Sequence, residues 1–373
     1  MKKNVMRRLA AMFRGGMKAL LGIPYMWGKR NGQDDFVCNL MIPIAEAVEQ
    51  KSNSYVTYNL YPKCAEKQNV WCYGRGLHAE EVAIIMQGPI RIEENFTLET
   101  VRYYAKIYPG VKVIVSTWKE EDQEQIRLLK EEKNCEVILN EKPLAEGVAH
   151  INYQMFSSLA GVKKAEMEGV KYALKTRSDS RITMPGILEQ LVELVENYEI
   201  LGTKRSRVVL FNAYLFYPYM DFGTYYFGRV EELQQLFDCY NHPGEVEKDY
   251  AERLVKQGIT YREMFTEGCA LNWALKNYFS KIHNEKVKCQ LEDWWTDIGN
   301  YTICLPVAFL RPLWVKYDYN HEESDMVWLY RREIMGSAGV DNSMIDFAMW
   351  NWLKNGERPD AELYNRYLDM AMR

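Results

Sequence analysis

Strand-like and helix-like segments alternate from residue 82 to residue 140, and this alternation constrains the fold more than any other feature of the chain. Val82-Ala83-Ile84-Ile85-Met86 is a continuous apolar run, as expected of a strand buried on both faces of a parallel sheet. Gln87-Gly88-Pro89-Ile90 turns the chain. Asn95 or Thr97 can then cap a helix whose first turn suits Glu94 and Glu99. Phe96, Leu98, Val101, Tyr104, Ala105 and Ile107 give that helix a buried side, and Pro109-Gly110 stops it. Val111 to Trp118 reads as a second strand, Asp122 to Glu132 as a charged helix, and Cys135 to Asn140 as a third strand. Such an order predicts a right-handed, mostly parallel α/β sheet flanked by helices. Ligands of these sheets bind beyond the carboxyl ends of the strands. That edge carries Gln87, Gly88, Pro89, Ser116, Thr117, Trp118 and the Asn140-Glu141-Lys142 turn.

A helical stretch follows from about Asn152 to Ala173, with the chain leaving it near Gly169 to enter another strand. At the carboxyl end of that strand stands K-T-R-S-D-S-R, residues 175–181. On an extended chain alternate residues share a face, so Lys175, Arg177, Asp179 and Arg181 are expected to point together. Further on, Arg207 to Phe211 is a strand candidate, and Tyr217 to Gly223 leads into Thr224 to Gly228 and a helix from Val230 to Phe237. Glu267 opens an apolar-periodic helix, an acid at a helix start being favoured by the dipole. The region after 300 begins with an apolar run, Tyr301 to Leu310, and ends in helices over 342–353 and 360–372. Four segments are therefore expected: 1–33, a lead-in over 34–80, the α/β domain over 81–300, and a mainly helical extension over 301–373 packed on it.

Several function classes are disfavoured. A net charge of −4 and a pI near 5.9 argue against nucleic-acid binding, which usually shows a basic domain. Neither a G-x-x-x-x-G-K-[ST] loop nor G-x-G-x-x-G follows the first strand, which argues against a P-loop kinase or a dinucleotide dehydrogenase. The eight cysteines form no C-x-x-C pair and read as reduced thiols, while the five histidines are scattered. No apolar run reaches the roughly 18 residues of a membrane span.

Membrane contact is expected by another route. The first 33 residues contain no Asp or Glu. At ~100° per residue, Val5, Met6, Leu9, Ala10, Met12, Phe13, Met17 and Leu20 share one side of a helix. Arg7, Arg14 and Lys18 fall opposite, with Arg8 at the margin. A basic amphipathic helix of this kind lies in the interface of an anionic membrane. Interruption by Arg14 and the lack of a small-residue cleavage site disfavour a secretory signal. The expected location is the cytoplasm, peripheral on the inner face of the plasma membrane.

Five words, in order, resemble the WavE lipopolysaccharide-synthesis family: V-A-I-I-M-Q-G-P-I, F-T-L-E-T-V-R-Y-Y-A-K-I-Y-P, V-I-V-S-T-W, I-N-Y-Q-M and A-L-K-T-R-S-D-S-R-I. The resemblance implies a GT-A-like (Rossmann-like) glycosyltransferase that takes a sugar from a nucleotide-sugar donor. Its acceptor would be a lipid-linked saccharide in bacterial surface polysaccharide synthesis. It also implies a D-x-D at the K-T-R-S-D-S-R position, where a divalent metal, Mn or Mg, meets the donor diphosphate. Here Arg181 stands where the second Asp is expected, so Asp179 is the single metal-ligand candidate. Lys175, Arg177 and Arg181 could instead supply the positive charge that stabilises the leaving nucleoside diphosphate. The same resemblance implies that Glu267 is the catalytic base, with Asp221 as the alternative. Two other readings stay open: a non-catalytic membrane-associated assembly protein with a degenerate nucleotide pocket, and a nucleotidyltransferase.

Overall fold

The computed structural model describes residues 46–51, 64, 79–147, 150–221, 223–242, 270–288, 290–315 and 344–360. The chain divides into two units, Met1–Leu60 and Tyr61–Arg373. Of the first unit, residues 46–49 are helical. The expected foot, including Arg7, Arg8, Phe13, Arg14 and Lys18, lies outside the described residues, as does Glu267.

The second unit is built on the predicted alternation. β1 (Val82–Gln87) leads to α1 (Phe96–Ile107), β2 (Lys112–Trp118), α2 (Gln123–Glu131) and β3 (Cys135–Asn140). α3 (Ile151–Met167) then crosses to β4 (Tyr172–Arg177). This helix stops six residues before Ala173, because Gly169 takes a φ of 75° that few other residues adopt. After β5 (Ser180–Ile182) come α4 (Ile187–Asn197), β6 (Val208–Phe211), β7 (Tyr226–Arg229) and α5 (Val230–Phe237). The chain continues through α6 (Ala270–His283), α7 (Leu291–Tyr301), β8 (Thr302–Leu305), β9 (Pro312–Trp314) and α8 (Phe347–Lys354).

Seven strands form one sheet in the order β3-β2-β1-β4-β7-β6-β8, while β5 and β9 pair as a separate ribbon. Within the large sheet only β7 runs against its neighbours, so the sheet is mostly parallel and flanked by helices, as expected. Every residue of β1 is buried, which explains its lack of apolar–polar alternation. α3 packs closely enough on β1 that a Cβ at Gly161 would collide with the Ile85 side chain. The sheet continues beyond residue 300, since β8 pairs in parallel with β6 and closes its far side. The four described cysteines, Cys64, Cys135, Cys239 and Cys304, are free thiols.

Candidate functional site

From β1 the chain builds outward through β2 to β3, then returns to place β4 on the other side of β1. The order reverses between β1 and β4, and the crevice outside their carboxyl ends is where ligands of open α/β sheets bind. Gln87 pairs in register with Arg177 on one side and with Ser116 on the other. The Gln87 Oε1 is buried and has no hydrogen-bond partner among the described residues. Such groups are rare in native proteins and often mark sites that meet water or ligand.

The two strand ends interlock. Gly88 N donates to Ser116 O at 3.1 Å, and Ser178 N donates to Gln87 O at 3.0 Å. Ser178 Oγ donates to Pro89 O at 2.5 Å. Gly88 has a φ of 117°, and a Cβ there would sit 3.1 Å from Ser178 Oγ, so both backbone conformation and space call for glycine. Thr97 ties α1 to the same junction: its hydroxyl donates to Ser178 O at 2.9 Å and accepts from Arg91 N at 2.8 Å. Neither expected cap forms in the predicted way, because Thr97 serves this junction and Asn95 is left-handed with no side-chain cap bond.

K-T-R-S-D-S-R does not stay extended. β4 ends at Arg177, Ser178 and Asp179 turn, and β5 begins at Ser180 in a different sheet. The expectation that its four charged residues point together is therefore corrected. Lys175 is fully buried and donates to Gly223 O at 3.0 Å and Thr224 O at 3.1 Å. Burial, with the Arg177 charge adding to it, holds its pKa well below the ordinary lysine value. Arg181 is buried too. Its Nε donates to Thr100 Oγ1 at 3.1 Å, and its guanidinium carbon lies 4.9 Å from the Phe96 ring centre and 5.4 Å from that of Tyr103. Burial lowers its pKa as well.

Arg177 and Asp179 pair with each other. Nε donates to Oδ1 and Nη2 to Oδ2, both at 2.8 Å, and the side chains remain 16% and 12% exposed. The Arg177 guanidinium lies 5.5 Å from the centre of the Trp314 ring. β9 brings that tryptophan in: Ser180 pairs in register with Trp314, and Val315 N donates to Asp179 O at 3.0 Å. Trp314 carries no local motif, since only long-range pairing places it here, and sequence reasoning missed it.

The β2 end is more enclosed. Ser116 Oγ donates to Ser157 O at 2.7 Å and accepts from Asn140 Nδ2 at 2.9 Å, so it braces α3 and β3. Thr117 is fully buried. Trp118 meets Tyr153 edge-on at 5.4 Å, with the Lys142 ammonium 5.9 Å from its ring centre. Glu121, also missed, accepts from Ile90 N at 3.1 Å, and burial raises its pKa. A carboxylate three residues past the strand was the available signal.

Asp221 bridges to Ala213, just past β6, and is 1% exposed. Tyr226 donates to its Oδ1 at 3.0 Å, while Oδ2 is buried with no hydrogen-bond partner among the described residues. Burial pushes its pKa from 3.8 up to about 7, against the opposing pull of Tyr226 and Lys175. On α7, Asp297 accepts from Tyr219 at 2.8 Å and lies 2.7 Å from His283 Nε2, and burial raises its pKa. Among the described residues no three His, Cys, Asp or Glu side chains group to hold a metal.

A family model described as WavE lipopolysaccharide synthesis matches residues 82–299, more than half of the 373-residue chain. No curated protein matches the sequence. Solved structures are similar at low levels. One is a 4-diphosphocytidyl-2C-methyl-D-erythritol synthase from Anaerococcus prevotii, 9% identical, with a TM-score of 0.31, covering 48% of this chain and 85% of that one. Another is mouse xyloside xylosyltransferase 1 in its apo form, 13% identical, with a TM-score of 0.30, covering 54% and 82%. A third is a cytidylyltransferase from Leptospira borgpetersenii, 16% identical, with a TM-score of 0.28, covering 48% and 73%. At those scores the likenesses decide nothing about the chemistry of this chain.

Proposed function

The chain belongs to the WavE lipopolysaccharide synthesis family, and from that membership we propose that it is a glycosyltransferase acting in the synthesis of a bacterial surface polysaccharide. The donor is a nucleotide-sugar and the acceptor a lipid-linked saccharide. The observation that carries this reading is the register of Gln87 with Arg177 where the strand order reverses. A part-exposed guanidinium there, beside a buried unpartnered amide oxygen, suits the diphosphate of a donor.

As the bond from the anomeric carbon to the diphosphate breaks, negative charge grows on the departing phosphate, and Arg177 is placed to stabilise it. Gln87, Gly88 and Pro89 lie at the adjoining end of β1, Gln87 in register with Arg177. Ser116, Thr117 and Trp118 hold the neighbouring strand end, while Lys175 ties β4 to the Gly223-Thr224 backbone and Arg181 ties β5 to Thr100 of α1. The acceptor hydroxyl must lose its proton to a base. Glu267 is the first candidate. Asp221 titrates near neutrality, as a base should, but its enclosure requires the Tyr217–Gly223 segment to open before an acceptor reaches it.

Among the described residues no helix is long and apolar enough to cross a membrane. A basic amphipathic N-terminus would bring the site to a lipid-borne acceptor by surface attachment. Removing residues 1–21 then abolishes sedimentation with anionic vesicles; undiminished sedimentation refutes the foot. The reaction itself is tested by incubating the protein with a panel of nucleotide-sugars and measuring nucleoside diphosphate release with and without lipid-linked acceptors. A protein that neither hydrolyses nor transfers from any of them, and binds no nucleoside diphosphate, is not this enzyme.

A further inference from the structure

The D-x-D resemblance places a divalent cation on Asp179, yet the side chains around that residue do not fit one. Both carboxylate oxygens accept hydrogen bonds from Arg177, each at 2.8 Å. A metal ion that takes either oxygen must share it with one arm of this fork and sit against the guanidinium's positive charge. Where a second carboxylate is expected the chain has Arg181, whose guanidinium is enclosed between Phe96 and Tyr103. Asp221, the other carboxylate that interacts electrostatically with Lys175, is buried and bonded to Tyr226. The donor set around the turn is thus richer in cations than in anions.

We propose that Arg177 binds the donor diphosphate without a divalent cation, and that Asp179 is the positioning residue that holds its guanidinium in place. This rests on the donor reading above. A guanidinium carries five N–H donors in a planar fork and can serve a carboxylate and a phosphate together. Trp314, packed against it, lowers the local dielectric and strengthens its charge–charge contacts. The β5–β9 ribbon fixes the turn that carries Asp179, and β4 fixes Arg177 beside it, so the fork is set before the donor arrives.

Calorimetric titration of the full chain with UDP, GDP, CDP, ADP and dTDP tests this, first in excess chelator and then in millimolar Mn²⁺ or Mg²⁺. At least one diphosphate binds in chelator, with a Kd changed less than about threefold by metal, a difference under 1 kcal/mol. Arg177→Met weakens that binding roughly ten- to a hundredfold in both conditions, the worth of a charge-assisted hydrogen bond. Arg177→Lys falls between, and Asp179→Asn weakens binding less than Arg177→Met while leaving it insensitive to metal. Binding that appears only when metal is added overturns the proposal while leaving the donor reading intact. So does an Arg177→Met protein that binds as tightly as the unmodified chain. Failure of every diphosphate, with and without metal, instead removes the donor reading itself. The chelator comparison uses the unmodified chain and does not depend on any variant folding.

Discussion

Two carboxylates interact electrostatically with Lys175 of β4, and their surroundings set them apart in character. Asp179 sits on a turn in a bidentate pair with a guanidinium, still partly open to water. Asp221 is buried, with one oxygen bonded to the Tyr226 phenol of β7 and the other unpartnered among the described residues. The first is matched by a permanent cation and stays partly exposed at the end of β4. The second carries the penalty of burial and titrates near pH 7. Partner and exposure, more than residue type, decide which acid can handle charge and which can hold a proton.

The contrast makes ordered predictions. Removing the open acid has the largest effect: Asp179→Ala releases the Arg177 fork, and transfer falls roughly a hundredfold or more, as on misplacement of the guanidinium that meets the departing phosphate. Steady-state kinetics beside a thermal melt checks this, and full activity with an unchanged melt moves the site elsewhere. The closed acid affects stability through pH. Its folded pKa lies above the unfolded value, so its stabilising share is complete below about pH 4 and is lost as pH rises through 7. Between those limits the cost approaches roughly 4 kcal/mol, an upper bound from a shift of about three units. Asp221→Asn keeps an acceptor for Tyr226 and removes this pH dependence, so its gain over the unmodified chain in urea unfolding grows from pH 5 to pH 8. Equal pH profiles for the two proteins contradict it.

Smaller effects concern the junction that supports the open acid. Gly88→Ala forces a Cβ onto a backbone at positive φ against Ser178 and costs about 1–3 kcal/mol. It should also weaken donor binding, because it pushes the β1 and β4 ends apart. Thr97→Val loses the bonds to Arg91 N and Ser178 O, for about 1–2 kcal/mol, with little change at the distant Asp221. Amide exchange resolves the two outcomes: faster exchange at Arg91 and Ser178 with none at Tyr226 fits, and uniform loss of protection does not.

Much of this geometry is legible in the sequence because it is local. The Val82–Met86 run, the charged Asp122–Glu132 helix and the Cys135–Asn140 strand each follow from short-range pattern, and together they locate the carboxyl edge of the sheet. K-T-R-S-D-S-R also falls on that edge. The fate of its side chains was not legible, since it depends on pairing of β5 with a strand far along the chain and on which cavities Lys175 and Arg181 enter. The same limit hid Trp314, and it hid the continuation of the sheet into β8.

The ribbon of β5 and β9 also sets an order of events during synthesis. A chain released only as far as β4 has the strands of the parallel half, yet the turn holding Arg177 and Asp179 still lacks its clasp. Trp314 and Val315 must leave the ribosome before that turn is secured. At about 5–20 residues per second the delay is several seconds or more. During that interval a nascent chain can have much of its sheet in place while the pair beyond β4 remains unset.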